Sequence, residues 1–492
     1  MISLWFMALL LGLSIAVLAG FNRKLVANAD DWISSPLDSH VVSGIVQPDK
    51  WKLLDREGNE WPTQPEEALE ELQALKGAEA KARLDSIYHI FYGQSYSVVQ
   101  AENKRLFGLD GKYSGHLGIS GIAHSEGYNV QTTISSELSY EMIKAMRASG
   151  ANDGSAMAVN YKTGEILASV SMPSHSVGNL YVSPLADDYE KENGWLYNRN
   201  FQTLFSPGSV QKIAAAIACL RYRRDIDLTV DKNRIVYDCD GSYETADGKK
   251  INCAYAHGRI TFIEAFSLSC NGFFAKSAIS MGQEKLSAVA QELGYNKTLS
   301  YENFSLLAKS EFLLHAGVGS YSLGWSAVGQ SIDGSKVEAL PYHMLILASA
   351  IANKGTAMQP YSVSWERTRG DEPVELYKAS PKAVPESLVK MKPEEAMDMG
   401  ILMENVCRGS GTAAVLGDAV EKLGYTAAAK TGTAEISASG RAVVSWIVCF
   451  IKEEEAPLAM VIALTSPSEG KTAAETASEI MPAAISLVKH GN

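Results

Sequence analysis

Beyond about residue 127, the strand-like runs of this chain fall at the two ends of the region, with a long stretch of helical pattern between them. At the near end, "SAMAVNY" and "EILASVSM" read as short strands joined by "KTG" at 162–164, which makes a hairpin. At the far end, "YTAAAKTGTAEI", "VVSWIVCFIK" and "LAMVIALTS" are three more strand-like segments, separated by turn signals at "SASGR" and "EEEAP". Helical spacing precedes the hairpin in "SSELSYEMIKAMRASG", fills the middle from Ser209 to about Glu404, and closes the chain in "KTAAETASEIMPAAISLVK". These patterns predict one mixed α+β domain, its sheet of about five strands assembled from both ends and flanked by helices.

The other regions are less patterned. Residues Ile2–Gly20 carry no charge, and about 20 apolar residues suffice to cross a hydrocarbon core as a helix. We read 1–21 as a transmembrane anchor; the competing reading is the apolar part of a cleaved signal peptide. Arg23 and Lys24 just after the span would hold the body of the protein in the cytoplasm by the positive-inside rule, although long domains often translocate regardless. Residues 22–126 alternate short apolar pieces with charged helical stretches and read as a pedestal or linker. In the full chain of 492 residues, 56 acidic side chains outnumber 44 basic ones, a net charge of -12 that argues against a nucleic-acid partner.

Cysteines stand at 219, 239, 253, 270, 407 and 449 with no CxxC pair, and the nine histidines include no HExxH or HxxxH spacing. These spacings argue against a zinc site, and we expect no metal and no cofactor. Cys239 and Cys253 flank the polar, turn-rich stretch "CDGSYETADGKKINC" and either close a loop in an oxidising compartment or stay reduced.

The stretch "FSPGSVQKIAAAIACLRYRR" sets Pro207, Gly208 and Ser209 before an alanine-rich helical run, with Lys212 three residues after the serine. A serine hydroxyl needs a base within hydrogen-bond reach to act as a nucleophile. Positions three apart share a helix face, so the Lys212 amine can meet the Ser209 hydroxyl, and burial lowers a lysine pKa enough to leave the amine neutral. The plainer reading is an N-capping serine and a solvated lysine. SxxK also occurs at Ser387, Ser468 and Ser486, so the motif is weak alone. Two downstream motifs strengthen it. Ser269, Cys270 and Asn271 form an SxN, and Lys430, Thr431, Gly432 and Thr433 form "KTGT" within a strand-like run.

SxxK, SxN and KTG in that order, together with "TGEILASVSMP", "NRNFQTLFSPGSVQK", "HGRITFIEAFSLSCNGFFA", "AVGQS", "RGSGTAA" and "KTGTAE", make residues 127–492 resemble the transpeptidase domain of class B penicillin-binding proteins. The resemblance implies a penicillin-binding/β-lactamase-like fold and a peptidoglycan D,D-transpeptidase acting outside the cytoplasm. It also implies roles. Ser209 would be the acylated nucleophile and Lys212 its base. Ser269 and Asn271 would relay protons and position substrate, and Lys430 and Thr431 would serve as electrophilic and carboxylate-binding groups. The N–H groups of Ser209 and Thr433 would form the oxyanion hole, with Gly432 leaving room for the substrate backbone. Implied partners are peptidoglycan stem peptides, β-lactam antibiotics and a SEDS-family glycosyltransferase in the membrane. A catalytically idle scaffold, a D,D-carboxypeptidase and a β-lactamase are the alternatives.

Some resemblances mislead. The Lys162–Gly164 "KTG" is better read as a hairpin turn. "GSGTAA" at 409–414 comes after a helix rather than a strand, so its first glycine ends that helix and is no dinucleotide loop. Cys270 reads as a small buried residue and Trp446 as core packing. Ser331 stands in "AVGQS" where the family usually has glycine.

Overall fold

Five antiparallel strands form the central sheet, and they do come from both ends of the region. The computed structural model describes residues 52–60 and 129–490, except 152, 174–197, 232–233, 303, 307, 369–372, 436–441 and 468–469. The strands are β1 (Asp153–Asn160), β2 (Ile166–Met172), β3 (Ala427–Glu435), β4 (Ala442–Ile451) and β5 (Leu458–Pro467), in the spatial order β3-β4-β5-β1-β2. β5 pairs with β1, joining the C-terminal three strands to the N-terminal hairpin. The hairpin turn is at 162–164, where Gly164 has φ +88° and a Cβ would lie 2.4 Å from the Gln359 carbonyl oxygen. That leaves β3, the KTGT strand, at one edge of the sheet.

Side chains at 444–451 and 458–464 are all buried, which requires cover on both faces. Helix α1 (Ser136–Ala148) packs on β2 and against the closing helix, while α4 (Pro341–Ala352), buried from 341 to 351, lies on β1, β4 and β5. Between them in sequence run α2 (Lys212–Arg221) and α3 (Asn271–Met281); α5 (Pro393–Val406) and the closing helix α6 (Ala473–His490) come after. α6 opens on a reciprocal cap: the Glu475 N–H donates to the Thr472 hydroxyl at 3.2 Å and the Thr472 N–H to the Glu475 carboxylate at 2.7 Å.

The middle of the chain is not helical throughout, as its pattern suggested. It carries a three-stranded sheet (Thr229–Asp231, Arg234–Cys239, Gly258–Thr261) and a small hairpin (Ser242–Glu244, Lys250–Asn252). Across the expected boundary at 126, Lys52–Leu54 pairs in parallel with Asn129–Thr132, and the Arg56 guanidinium meets the Glu165 carboxylate at 3.1 Å. The anchor expected at 1–21 and the rest of 22–126 lie outside the described residues. Among the described residues no helix is long and apolar enough to cross a membrane.

Candidate active site

Ser209 does not head an α-helix, contrary to the expectation. Gly208–Gln211 form one 3₁₀ turn, and α2 begins only at Lys212. The difference favours the chemistry, because three residues per turn eclipse positions i and i+3. The Lys212 Nζ therefore lies 2.9 Å from the Ser209 Oγ. Tight packing selects this turn: Gly208 has φ +49°, and a Cβ there would sit 2.6 Å from the Thr433 carbonyl oxygen. Its N–H donates to the Gly329 carbonyl at 3.1 Å. Neither plain reading holds. No side-chain cap bond closes the turn, and Lys212 is fully buried.

The SxN residues come from the junction between Phe262–Ser267 and α3. Ser269 has φ +58°, a strained position for a residue with a Cβ, and functional sites are where such strain gathers. There its carbonyl and hydroxyl oxygens both face Lys212 Nζ, at 2.7 and 3.0 Å. Asn271 opens α3, with Oδ1 2.7 Å from the same amine and Nδ2 donating to the Asn252 carbonyl at 2.7 Å.

From the edge strand β3, Lys430 reaches the other side of Ser269, its Nζ 3.1 Å from Oγ and 3.1 Å from the Thr431 carbonyl oxygen. Strand and Ser209 turn touch backbone to backbone: a Cβ on Gly432 would lie 2.7 Å from the Pro207 carbonyl oxygen. Ser209, Lys212, Ser269, Asn271 and the Lys430–Thr433 strand thus meet in one place.

Burial sets the electrostatics. Desolvation pushes Lys212 down to about 7, opposed by the thiols of Cys270 and Cys253. Lys430 is pushed well below its ordinary value by burial and then by the neighbouring Lys212 charge. Phe274 and Phe266 rings lie 5.8 and 5.5 Å from the two amines. A neutral amine has two N–H groups and one lone pair. Ser269 O and Asn271 Oδ1, which can only accept, take the two N–H groups, and the lone pair is left for a hydroxyl proton.

Three supporting contacts had no role in the sequence reading. The Thr412 hydroxyl lies 2.6 Å from the Thr431 hydroxyl, brought there by the "RGSGTAA" loop after α5. Trp446 is core, as expected, but its indole N–H also donates to the Ser206 carbonyl at 3.0 Å and its ring meets Phe205 edge-on, which props the Ser209 turn. Gly329 packs so closely that a Cβ would lie 1.9 Å from the Gly208 oxygen. Two residues on, the Ser331 hydroxyl accepts from the Val337 N–H at 2.9 Å, a settled turn without glycine. Gly409, with φ +55°, comes after the end of α5 as a helix stop.

A family model described as penicillin binding protein transpeptidase domain matches residues 154–482, more than half of the chain, and the chain belongs to that family. It is 27% identical to the peptidoglycan D,D-transpeptidase PbpA of Mycolicibacterium smegmatis over 406 residues, 80% of this chain and 78% of that protein. It is 26% identical to stage V sporulation protein D of Bacillus subtilis over 445 residues, covering 82% of this chain but only 63% of that protein. Among solved structures, the D,D-transpeptidase domain of a peptidoglycan glycosyltransferase from Eggerthella lenta superposes with a TM-score of 0.66 at 21% identity, over 89% of this chain and 98% of that one. Penicillin-binding protein A of Mycobacterium tuberculosis gives a TM-score of 0.63 at 23% identity, over 82% and 91%. The structural likeness is one of fold.

Proposed function

We propose that this chain is a peptidoglycan D,D-transpeptidase that cross-links stem peptides through an acyl-enzyme on Ser209. The carrying observation is the Lys212 amine, fully buried and 2.9 Å from the Ser209 hydroxyl. Ser209 Oγ attacks the penultimate D-Ala carbonyl while its proton passes to Lys212. The C–N bond then breaks, the terminal D-Ala leaves as an amine that takes the proton, and an ester remains on Ser209. An amine of a neighbouring stem peptide attacks that ester and restores the hydroxyl.

Ser269, between the two lysines, carries protons across, and Asn271 orients the amine. Lys430 attracts the substrate's terminal carboxylate and Thr431, backed by Thr412, hydrogen-bonds it. In a strand a residue's N–H and C=O point the same way, and the Thr433 carbonyl is turned toward Gly208. Its N–H therefore faces the nucleophile turn as well, which supports pairing it with the Ser209 N–H as the oxyanion hole. An extended substrate would add to the β3 edge. Residues 1–21 would anchor the chain, 22–126 would form the pedestal, and 127–492 would work outside the cytoplasm beside a SEDS-family glycosyltransferase.

Labelled penicillin should form one covalent adduct, mapped by peptide mass to Ser209 and persisting for minutes. Absence of the adduct would sink the acyl-enzyme reading, and clearance within seconds would indicate a β-lactamase. Acylation rate should also rise with pH through about 7, because only neutral Lys212 can accept the proton. A rate flat from pH 6 to pH 8 would exclude Lys212 as base.

A further inference from the structure

We propose that Cys239, Cys253, His257 and Cys270 bind one zinc ion that locks the Ser269–Asn271 turn in place. No CxxC, HExxH or HxxxH spacing announces this group, because its members flank four different short elements. Cys239 ends the strand Arg234–Cys239, Cys253 follows Lys250–Asn252, His257 precedes Gly258–Thr261, and Cys270 caps α3. Their ligand atoms all lie within 4.8 Å of one another.

The distances fit a metal better than a bond between sulfurs. Cys253 Sγ is 3.8 Å from Cys239 Sγ and 3.8 Å from Cys270 Sγ. A disulfide needs about 2.05 Å and joins only two of the three. Tetrahedral zinc with Zn–S bonds of about 2.3 Å sets its sulfurs about 3.8 Å apart. The fourth corner is His257, whose Nδ1 is 3.2 Å from Cys239 Sγ. Cys239 and Cys270 are buried, and the Tyr255 ring covers His257 at 4.4 Å. Backbone N–H groups of Gly272 and Phe273 donate to Cys253 and Cys270 at 3.3 and 3.5 Å, as suits thiolate ligands. The His257 Nε2 is buried without a protein partner, so the metal bond and the Tyr255 contact would have to orient the ring.

Placement gives the ion its purpose. Cys270 lies between Ser269 and Asn271, both of which hold Lys212, and Cys253 follows Asn252, whose carbonyl holds Asn271. One ion would clamp both sides of the Asn271–Asn252 hydrogen bond, in a segment whose hairpin strands are only three residues long. These four are positioning residues. Loading replaces three thiol protons with one Zn²⁺, the protons passing to solvent.

The test is metal analysis of the full chain, purified under reductant without chelator. One zinc per chain is expected in the wild type, and less than a tenth of that in Cys239→Ser and His257→Ala. Stripping the wild type with a chelator and adding Co²⁺ should give the visible absorption of a tetrahedral cobalt thiolate. This arm needs no folded variant and no penicillin, so its failure is distinct from failure of the acyl-enzyme reading. Zinc removal should slow penicillin acylation at least tenfold, and zinc re-addition should restore it. Absence of zinc with all thiols titratable, a Cys239–Cys253 disulfide by mass, unchanged zinc in both variants, or unchanged acylation after stripping would each overturn the proposal.

Discussion

Lys212→Met is expected to slow acylation of Ser209 by labelled penicillin by about 10²–10⁴-fold, the usual contribution of a general base. It should do so without unfolding the protein. Burying the lysine costs the folded state roughly 5 kcal/mol below about pH 7 and a little less at neutral pH, given a shift from 10.5 to about 7 at about 1.4 kcal/mol per unit. Methionine removes that cost but leaves Ser269 O and Asn271 Oδ1 without a donor, at about 1–3 kcal/mol each. The opposing effects nearly cancel, so the unfolding midpoint near pH 7 should stay close to that of the wild type. The pH dependence should not. Lys212 titrates lower in the folded chain, so between about 7 and 10.5 the unfolded chain binds more protons and wild-type stability rises with pH. Below about 7 the Lys212 contribution is flat. Denaturant titrations across that window should show the rise in the wild type and a smaller one in Lys212→Met. Near-wild-type acylation by the variant would overturn the assignment of the base.

A single methyl group at Gly432 should be nearly as damaging. Alanine there would put Cβ 2.7 Å from the Pro207 oxygen and 3.1 Å from the Val210 nitrogen. Both are backbone atoms, so no side chain can swing aside; the strand and the nucleophile turn must separate. That would spread the N–H groups of Ser209 and Thr433, and loss of one oxyanion donor typically slows the reaction about 10²–10³-fold. We expect acylation of Gly432→Ala to fall by that order, with a stability loss of about 1–3 kcal/mol from overpacking. Gly208→Ala should behave alike, its Cβ meeting the Thr433 oxygen from the opposite side. Stopped-flow acylation with thermal melts separates the two effects, and a wild-type rate in Gly432→Ala would show that the contact does not matter to catalysis.

Much of the site was legible because its chemistry is carried by local patterns. Ser209 and Lys212 are three residues apart, Ser269 and Asn271 two, and Lys430 to Thr433 lie on one strand. The two-ended sheet was legible as well, since apolar runs bounded by turn residues mark its strands. The 3₁₀ turn was not, because Gly208 takes its conformation from contact with Thr433, which is far away along the chain. Thr412 and the indole N–H of Trp446 were missed for a similar reason: their partners, Thr431 and Ser206, are neighbours only in the folded chain. Short strands in the middle region were read as helix, since strands of three to six residues are too brief to establish a period among the helices around them.

By itself the sequence determined which groups could react, the strands of the two-ended sheet, and the family to which the chain belongs, because these rest on residue type and near spacing. Only the tertiary structure decided that two lysines share one serine, that the Lys212 pKa is brought down to about 7, and that three cysteines and a histidine converge beside the same turn. The lowered lysine pKa comes from removing water, and convergence from closing loops, 57 and 161 residues long for the two lysines and Ser269 and shorter for the cysteines and histidine; neither is a property of residue type alone.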